Sequence, residues 1–384
     1  MRIRAAIRIP LVRMGFLLGR LLGRPPRRVV LATAHGEAIS GNLAYVREEL
    51  GRREPAVSTV TLAYRPVPTI RGLLSAAVSA FRSGYHLARA RVFIVDDYFL
   101  PMYLIKPTAG TRFLQVWHAS GAFKKFGYSV LDKTFGQTDA FVRRVAIHSN
   151  YDVCLVSASR FAPFYAEAFH QPLDRFDSSI GIPRTDVFFG DRRTVAEARV
   201  RARYLLPAKR TILFAPTFRG ETISRARSPE ELDLGVLRET LGEDHVVLLR
   251  QHPFVRSARP IDPALSGFVI DVSDYPDINE LMLISDVLVT DYSSAIYEYS
   301  LLSRPMAFFA PDHEAYENER GFYFDFRSGV PGPVFETTDE LARWLRAGEF
   351  DLDRVARFRA TSFDVADGHA TERFVDRLVE PALR

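Results

Sequence analysis

Short apolar runs alternate with amphipathic segments along the first half of the chain. The runs have the length of strands, whereas the segments between them have the apolar spacing typical of helices. Such alternation favours a mostly parallel sheet with helices on both faces. The predicted strands are Val29–Thr33, Val57–Leu62, Val92–Val95, Phe113–Val116 and Val153–Val156, and the predicted helices are Asn42–Leu50, Ile70–Leu87 and Phe161–Phe169.

The same pattern begins again after a charged stretch, Asp191–Arg203, that leads to Pro207. We therefore predict an α/β protein with two Rossmann-like domains facing a cleft, at 29–195 and 196–384, preceded by an arm at 1–28. The helical tail is expected to close the second domain and to cross back to the first. The predicted strands of this half are Thr211–Ala215, Val246–Arg250, Gly267–Asp271, Val287–Thr290 and Met306–Phe309, and its predicted helices are Glu230–Leu241, Ile278–Ile284, Ser294–Leu302, Thr338–Leu345 and Thr371–Leu383.

Length and composition narrow the class of protein. A chain of 384 residues with 47% hydrophobic content is long enough for two packed domains. Its single cysteine, Cys154, excludes an internal disulfide framework and a Cys-rich zinc site. No uninterrupted apolar stretch reaches the roughly 18 residues expected of a transmembrane helix. Arginine interrupts the one candidate for a cleavable signal.

The net charge of +5 belongs to the N-terminus. Residues 1–28 hold eight arginines and no acid, so the remainder of the chain is acidic on balance. Binding of nucleic acid by the body of the protein is therefore disfavoured.

This basic arm has the pattern of a short amphipathic helix that begins near Pro10 and is stopped by Pro25-Pro26. Such a helix suits the anionic surface of a cytoplasmic leaflet; the alternative is a helix packed on its own protein with its arginines in water. Glycines at 15, 19 and 23 permit close helix approach but weaken an isolated helix. One side of the helix carries Arg13, Arg20, Arg24 and Arg27, and the other carries Leu11, Met14, Leu18, Leu21 and Leu22.

Polar residues follow several predicted strands, at the places where open α/β sheets bind ligands. In the segment 115–125, Trp117 and His118 follow a strand, and Lys124 and Lys125 follow several small residues. A neutral His118 can accept a proton from an incoming hydroxyl, and the two lysines can bind phosphate. The alternative is a structural histidine.

Two further groups contain an arginine. In Gly181–Asp186 a tight loop carries Arg184, which either contacts phosphate or pairs with Asp186. In the segment 212–219 a strand delivers Thr217 and Arg219 to the predicted cleft. A surface turn with an arginine in water gives the same pattern.

The last two groups lie in the second half of the chain. His252 follows a strand and either donates a hydrogen bond to a pyrophosphate oxygen or is structural. Asp291 ends the next buried strand, and Ser293 and Ser294 open a helix whose N–H groups and hydroxyls suit an anion. Glu298, one turn further, can accept hydrogen bonds from a ribose. The alternative is a capping box, but Ser294 and Glu298 are one residue off its spacing.

Together these segments resemble the CDP-glycerol glycerophosphotransferase family of teichoic acid synthesis, over most of the chain from about Ser40 to Gly321. The resemblance implies a GT-B fold in which the first domain binds the acceptor and the second binds CDP, with His118 as the base. The family usually has Trp-His-Gly-Thr, and this chain has Ala119 and Ser120 in place of the glycine and threonine. This departure leaves donor and acceptor preference open. The matching motifs are Trp117-His118, Gly181–Asp186, Ala215–Arg219, Arg250–Pro253, Thr290–Ser294, Arg304-Pro305, Asp312, Tyr316 and Arg320-Gly321.

The reaction implied by the resemblance is displacement at phosphorus. An acceptor hydroxyl, deprotonated by His118, attacks the polyol-bearing phosphate of CDP-glycerol or a related donor, and CMP leaves. The acceptor is expected to be a lipid-linked glycan, and the enzyme a peripheral protein on the cytoplasmic face of the membrane. The expected contacts to the donor are Arg219, His252, Asp291, Ser293, Ser294 and Glu298, and those to phosphate or acceptor are Lys124, Lys125, Arg184 and Thr217.

Some properties stay open at this level. No His-rich metal cluster is evident in the sequence; Asp96-Asp97, at the end of a predicted strand, is the nearest candidate for a metal site. No tightly bound cofactor is expected, and dependence on divalent ions is left open. With one catalytic unit and little beyond the arm, the chain resembles the short members that add a first polyol phosphate. Two alternatives are a GT-B glycosyltransferase that uses a nucleotide sugar and a membrane-docked scaffold without turnover.

Overall fold

The computed structural model describes residues 2–25, 27–34, 36–53, 56–64, 70–106, 109–131, 133, 142, 145–220, 226–229, 232–255 and 261–384. The chain forms two compact units, each containing one parallel sheet. The first unit comprises Met1–His118, Gln137–Asp186 and Asp364–Arg384, and the second comprises Ala119–Gly136 and Val187–Phe363. The α/β class predicted from the sequence is confirmed.

The sheet of the first unit has the strand order β2-β1-β3-β4-β5-β6, and all its neighbouring strands are parallel. Its topological switch point therefore lies between β1 and β3, where the strand order reverses. β3 is buried at every residue, as expected for a strand covered on both faces. The strands are β1 (Arg28–Thr33), β2 (Ser58–Ala63), β3 (Val92–Val95), β4 (Arg112–Gln115), β5 (Val153–Leu155) and β6 (Phe176–Asp177).

The helices that the structure describes over their whole length in this unit up to Asp186 include α1 (Arg2–Leu21), α2 (Gly41–Gly51), α3 (Ile70–Arg89), α4 (Leu100–Tyr103) and α5 (Ala162–Phe169). The prediction that α1 begins near Pro10 is wrong, because the helix continues through Pro10 from Arg2. A proline inside a helix removes one backbone hydrogen bond. Tertiary packing of α1 along α3 outweighs this loss.

Glycines set the distance between α1 and α3. A Cβ on Gly15 would lie 2.1 Å from the Phe81 carbonyl oxygen, and a Cβ on Gly84 would lie 1.9 Å from that of Val12. Any larger residue would force the helices apart. Gly23 takes no part in this contact, since nothing lies within 4 Å of its Cβ position.

The second unit has the strand order β12-β11-β10-β7-β8-β9, again with parallel neighbours. Its switch point lies between β7 and β10, so the residues that follow these two strands meet at one edge. The strands are β7 (Arg210–Phe214), β8 (His245–Leu249), β9 (Val269–Asp271), β10 (Val287–Thr290), β11 (Met306–Phe309) and β12 (Val334–Phe335).

The charged stretch before Pro207 forms a helix. The predicted helix Glu230–Leu241 begins at Leu234, where Asp233 caps the amides of Gly235 and Val236; Glu230 and Glu231 lie outside the described residues. The helices of the second unit are α6 (Gly190–Arg203), α7 (Leu234–Leu241), α8 (Ile278–Leu283), α9 (Ala295–Ser300), α10 (His313–Arg320), α11 (Phe326–Gly329), α12 (Thr338–Ala347) and α13 (Leu352–Ser362).

The chain ends in the first unit. α14 (Ala370–Phe374), a π-helical turn (Val375–Val379) and α15 (Glu380–Leu383) place Phe374 and Val379 in the same core as β1 and β3. Among the helices in the described ranges, none is both long and apolar enough to cross a membrane.

Candidate active site

Thr217 and Asp291 meet at the switch point of the second unit. Thr217 follows β7, and its amide and hydroxyl donate to the two Asp291 carboxylate oxygens at 2.8 and 3.0 Å. The amide of Tyr292 donates to Asp291 at 2.7 Å. The Asp291 carboxylate, 2% exposed, is thus occupied by protein donors. It fixes the two loops that follow β7 and β10.

Arg219 completes this arrangement. Its Nη1 donates to Asp291 at 2.8 Å, and its Nε and Nη2 donate to the Asp312 oxygens at 2.5 and 3.1 Å. The guanidinium also lies against the rings of Tyr292 and Tyr316, about 5 Å from each centroid. Burial opposes the charge, but the Asp291 and Asp312 carboxylates outweigh it and raise the pKa of Arg219. The contact of Arg219 with a diphosphate stays a prediction; in this structure its charge is already paired with two carboxylates.

Lys124 lies beside the same aromatic pair. Its Nζ donates to the Tyr316 hydroxyl at 3.3 Å and lies 5.8 Å from the ring centroid. Tyr316 in turn stacks on Tyr292 at 4.0 Å. Among the described residues no carboxylate pairs with Lys124, so its charge stays available to an anion. The Lys125 amide donates to the Gly321 carbonyl at 3.0 Å, which holds this segment in place.

Ser293 and Ser294 stand at the start of α9. The Ser293 hydroxyl accepts from the Ala295 amide at 3.2 Å, whereas Ser294 makes no side-chain cap. The capping-box alternative for Ser294 and Glu298 is therefore wrong, since another residue caps the helix. Both serines are half-buried, which leaves the Ser294 hydroxyl within reach of a ligand.

Glu298 points inward. It is fully buried and accepts a hydrogen bond from the Ser120 hydroxyl at 2.6 Å. One residue on, a Cβ on Gly121 would lie 2.3 Å from the Tyr297 ring, so only glycine fits there. The serine that departs from the family motif thus anchors the segment after His118 on α9. The contact of Glu298 with a ribose stays a prediction.

His252 follows β8 and packs between Phe218 and Phe254, with both ring centroids 4.8 Å away. Its Nδ1 accepts from the Phe254 amide at 3.2 Å. The ring proton of the neutral imidazole therefore lies on Nε2, which makes that atom a donor. This is the state that the predicted contact with a pyrophosphate oxygen requires.

His118 belongs to the first unit, where it follows β4. Its Nδ1 lies 3.2 Å from the Asp96 carbonyl oxygen and 3.8 Å from the Asp97 carboxylate. A carbonyl accepts only, so Nδ1 carries the proton and Nε2 holds the lone pair that a base needs. The side chain is 42% exposed. The Asp96-Asp97 pair thus faces His118, and no cluster of metal-ligand residues occurs in the described ranges.

The backbone around His118 is fixed by buried amides. The Gln115 side chain accepts from the Trp117 amide at 2.8 Å and donates to the Asp97 carbonyl at 3.2 Å. Trp117 has a φ of +50°, a conformation that costs roughly 1 to 2 kcal/mol outside glycine. The strain indicates that the His118 position is imposed by its surroundings.

Asn42 connects this loop to the predicted arginine loop, and sequence reasoning assigned it no role. Its amide donates to the Val116 and Trp117 carbonyls at 2.9 and 2.8 Å and accepts from the Arg184 amide at 2.9 Å. Asp186 accepts from the amides of Ala370 and Thr371 at the start of α14. A polar residue buried to 2% near a helix start is the signal that could have identified Asn42.

Comparison with known proteins finds relatives over most of the chain. The family model described as CDP-Glycerol:Poly(glycerophosphate) glycerophosphotransferase matches residues 19–380. The teichoic acid ribitol-phosphate primase of Bacillus spizizenii is 40% identical, with 94% of this chain and 92% of the relative aligned. The teichoic acid poly(ribitol-phosphate) polymerase of the same species is 35% identical over 94% of this chain and 58% of its own length.

A solved structure shares the fold. The wall teichoic acid polymerase TagF, in a histidine-to-asparagine variant soaked with CDPG, aligns with a TM-score of 0.80 and 25% identity. The alignment covers 98% of this chain and 94% of that one. The GT-B type predicted from the sequence is thereby confirmed.

Proposed function

Because the chain belongs to the CDP-glycerol:poly(glycerophosphate) glycerophosphotransferase family, we propose that it transfers a polyol phosphate from a CDP-activated polyol to a lipid-linked glycan in teichoic acid synthesis. The observation that carries the proposal is the orientation of His118. Its Nδ1 is held by the Asp96 carbonyl, and Nε2 is therefore the basic atom.

The chemistry is a displacement at phosphorus. The acceptor hydroxyl gives its proton to His118 Nε2 while its oxygen bonds to the polyol-bearing phosphorus. The bond from that phosphorus to the CMP oxygen breaks, and CMP leaves. Negative charge that develops on the phosphates needs fixed positive groups and donors.

The second unit supplies these groups. Lys124 has a charge without a carboxylate partner among the described residues, His252 presents Nε2–H, and Ser294 presents a hydroxyl. Arg219 contributes mainly by holding Asp291 and Asp312 in place, since its donors are already directed at these carboxylates.

The polyol is proposed to be ribitol first and glycerol second. The primase with which this chain shares 40% identity is named for ribitol phosphate, and so is the polymerase at 35%. The sequence expectation of glycerol phosphate is kept as the second donor because the family model is named for it. The mass of the reaction product would give the number of polyol phosphate units added.

Membrane docking through α1 is the second part of the proposal. Val12 and Phe16 are buried, whereas five apolar residues of the same helix or its end stay exposed between arginines. One face of the helix packs on its own unit, and a face rich in leucine stays exposed. The sequence suggested either a membrane-bound helix or a helix packed on the protein, and neither alternative included both features. An exposed apolar face with basic neighbours suits an anionic membrane surface on the cytoplasmic side. The exposed residues are Met14, Leu17, Leu18, Leu21 and Leu22.

The test of transfer uses purified full-length protein with CDP-ribitol or CDP-glycerol and a lipid-linked disaccharide acceptor, with CMP release as the readout. Acceptor-dependent release that falls at least 100-fold in His118→Ala is expected. His369→Ala, at a histidine side chain 67% exposed, is the matched control and should keep full activity. Release of UDP from a nucleotide sugar, or unchanged CMP release in His118→Ala, would overturn the reaction or its base.

The test of docking is sedimentation with vesicles that contain anionic lipid. A variant with serine at Leu17, Leu18 and Leu21 is expected to lose binding while its melting temperature stays unchanged. Leu205→Ser is the control, because Leu205 is 94% exposed but lies in the second unit. Equal loss of binding in both variants, or in neither, would contradict docking through α1.

A further inference from the structure

A cavity of about 180 Å³ lies within the first unit, at the switch point of its sheet. Thr33 ends β1 on one side, and Tyr98 and Phe99 follow β3 on the other. Ligands of open α/β sheets bind beyond the carboxyl ends of the strands at such a point. None of the residues predicted to be functional lines this cavity.

The surface of the cavity is mostly apolar, although Thr33, Ser79 and Ser83 also line it. Ala76 and Ala80 of α3, Val12 of α1 and Leu104 after α4 form much of the wall. A cavity of this size with a mostly apolar surface can accept a hydrocarbon, since an apolar cavity of about 150 Å³ binds benzene. The small side chains of α3 create the space, because larger residues there would fill it.

One charged side chain, Arg8, lines the cavity. Its guanidinium carbon lies 5.1 Å from the centroid of the Tyr64 ring. Arginine over an aromatic ring keeps its edge free to donate to an anion. An apolar chamber with an arginine in its wall matches a hydrocarbon chain that ends in a phosphate.

The two helices that line the cavity, α1 and α3, also carry exposed apolar residues. α3 exposes Leu73, Leu74 and Val78, and α1 exposes the leucine face described above. The close contacts at Gly15 and Gly84 keep both helices fixed against each other, so the wall is rigid. A lipid chain that contacts this surface would therefore lie against the same helices that line the cavity.

The loop between β3 and α4 joins the cavity to the candidate base. Asp96 and Asp97 face His118, and the next two residues, Tyr98 and Phe99, line the cavity. We propose that this cavity binds the hydrocarbon chain of the lipid that carries the acceptor, with Arg8 contacting its phosphate. The proposal rests on the proposed function, because that reaction supplies a lipid-linked acceptor.

The direct test is equilibrium binding of farnesyl phosphate to the full-length protein, followed by intrinsic fluorescence. Ser79→Leu and Ala80→Leu, which fill the cavity, should each weaken binding at least tenfold, and Arg8→Gln should weaken farnesyl phosphate but not farnesol. Ser75→Leu, on the exposed side of the same helix, is the matched control and should bind like the wild type. Melting curves identify a variant that has failed to fold. If one of the two cavity-filling variants does not fold, the other still tests the proposal.

Measurements of transferase activity distinguish the cavity proposal from the proposed reaction. The filling variants should raise the KM for a polyprenyl-linked acceptor relative to that for the same glycan on a short soluble linker. Binding of farnesyl phosphate by a wild type without CMP release would overturn the reaction and keep the cavity. No saturable binding, binding unaffected by both filling variants, or an equal loss with both acceptors would overturn the cavity proposal.

Discussion

An Arg219→Met variant is expected to lose stability whether or not a donor is present. Methionine keeps the apolar stem but none of the donors, so Asp291 and Asp312 lose their shared partner. The Arg219 side chain is only 8% exposed, and water cannot replace the lost hydrogen bonds. Breaking a buried pair from one side costs about 3–5 kcal/mol, and we expect the free energy of unfolding to fall by about that amount.

The pH dependence of this loss has a definite sign. Burial alone would raise the pKa of Asp312, but Arg219 outweighs it and lowers that pKa in the folded state. A lowered folded pKa gives stability that is present above the unfolded value of 3.8 and is lost as the pH falls through the folded pKa. The variant lacks this contribution. Its deficit should therefore be largest at neutral pH and narrow below about pH 4.

Urea unfolding followed by tryptophan fluorescence at several pH values measures both effects. Arg357→Met is the control, because Arg357 is 71% exposed and its acidic neighbour is 4.0 Å away. Adding Asp312→Asn to Arg219→Met should restore part of the loss, since one uncompensated charge is removed. A deficit below about 1 kcal/mol, together with weaker binding of CDP, would refute the argument and make Arg219 a direct ligand of the donor.

Three further outcomes are expected. Asp97→Asn should lower kcat about tenfold, or about 1.4 kcal/mol, with little change in the donor KM, because the carboxylate 3.8 Å from His118 stabilises its protonated form; an unchanged kcat would contradict this. Gly84→Ala should destabilise by about 1–3 kcal/mol in urea despite alanine's better helix propensity, whereas Gly51→Ala, which meets nothing within 4 Å, should not. Burial lowers the pKa of His148 to about 3 from 6.5, so the fold loses stability as the pH falls between these values. His148→Asn, which tolerates the φ of +58°, should flatten that slope of at most about 1.4 kcal/mol per pH unit, as followed by melting against pH.

Strands buried on both faces could be predicted well from the sequence. Val92–Val95, Val287–Thr290 and Met306–Phe309 were located to the residue, because continuous apolar runs between turns have few other structures. The two-residue strands Phe176–Asp177 and Val334–Phe335 are too short to give any pattern. Local rules also begin α1 near Pro10, whereas its packing on α3 lets the helix start at Arg2 and continue through that proline.

The sequence predicted where the residues of the candidate site lie, but not which residues they pair with. Polar residues after strands of a parallel sheet must share one edge, which placed Thr217 and Asp291 together. Arg219 pairs with Asp291 and also with Asp312, which lies 93 residues further along the chain. Nothing local to Arg219 indicates that pairing. In the same way, nothing local to Ser120 indicates that its hydroxyl donates to Glu298, 178 residues away.

The two sheets repeat one construction, yet their switch points have opposite chemistry. Between β7 and β10, Asp291, Arg219 and Asp312 form a hydrogen-bonded ion cluster that fixes loops beside Lys124 and two serines. Between β1 and β3 the corresponding space is an apolar cavity with one arginine in its wall. A diphosphate and a hydrocarbon need these two environments respectively, since a charge is costly in an apolar chamber and a lipid chain gains nothing among ions. The asymmetry therefore supports the proposal that the nucleotide binds to the second unit and the lipid to the first.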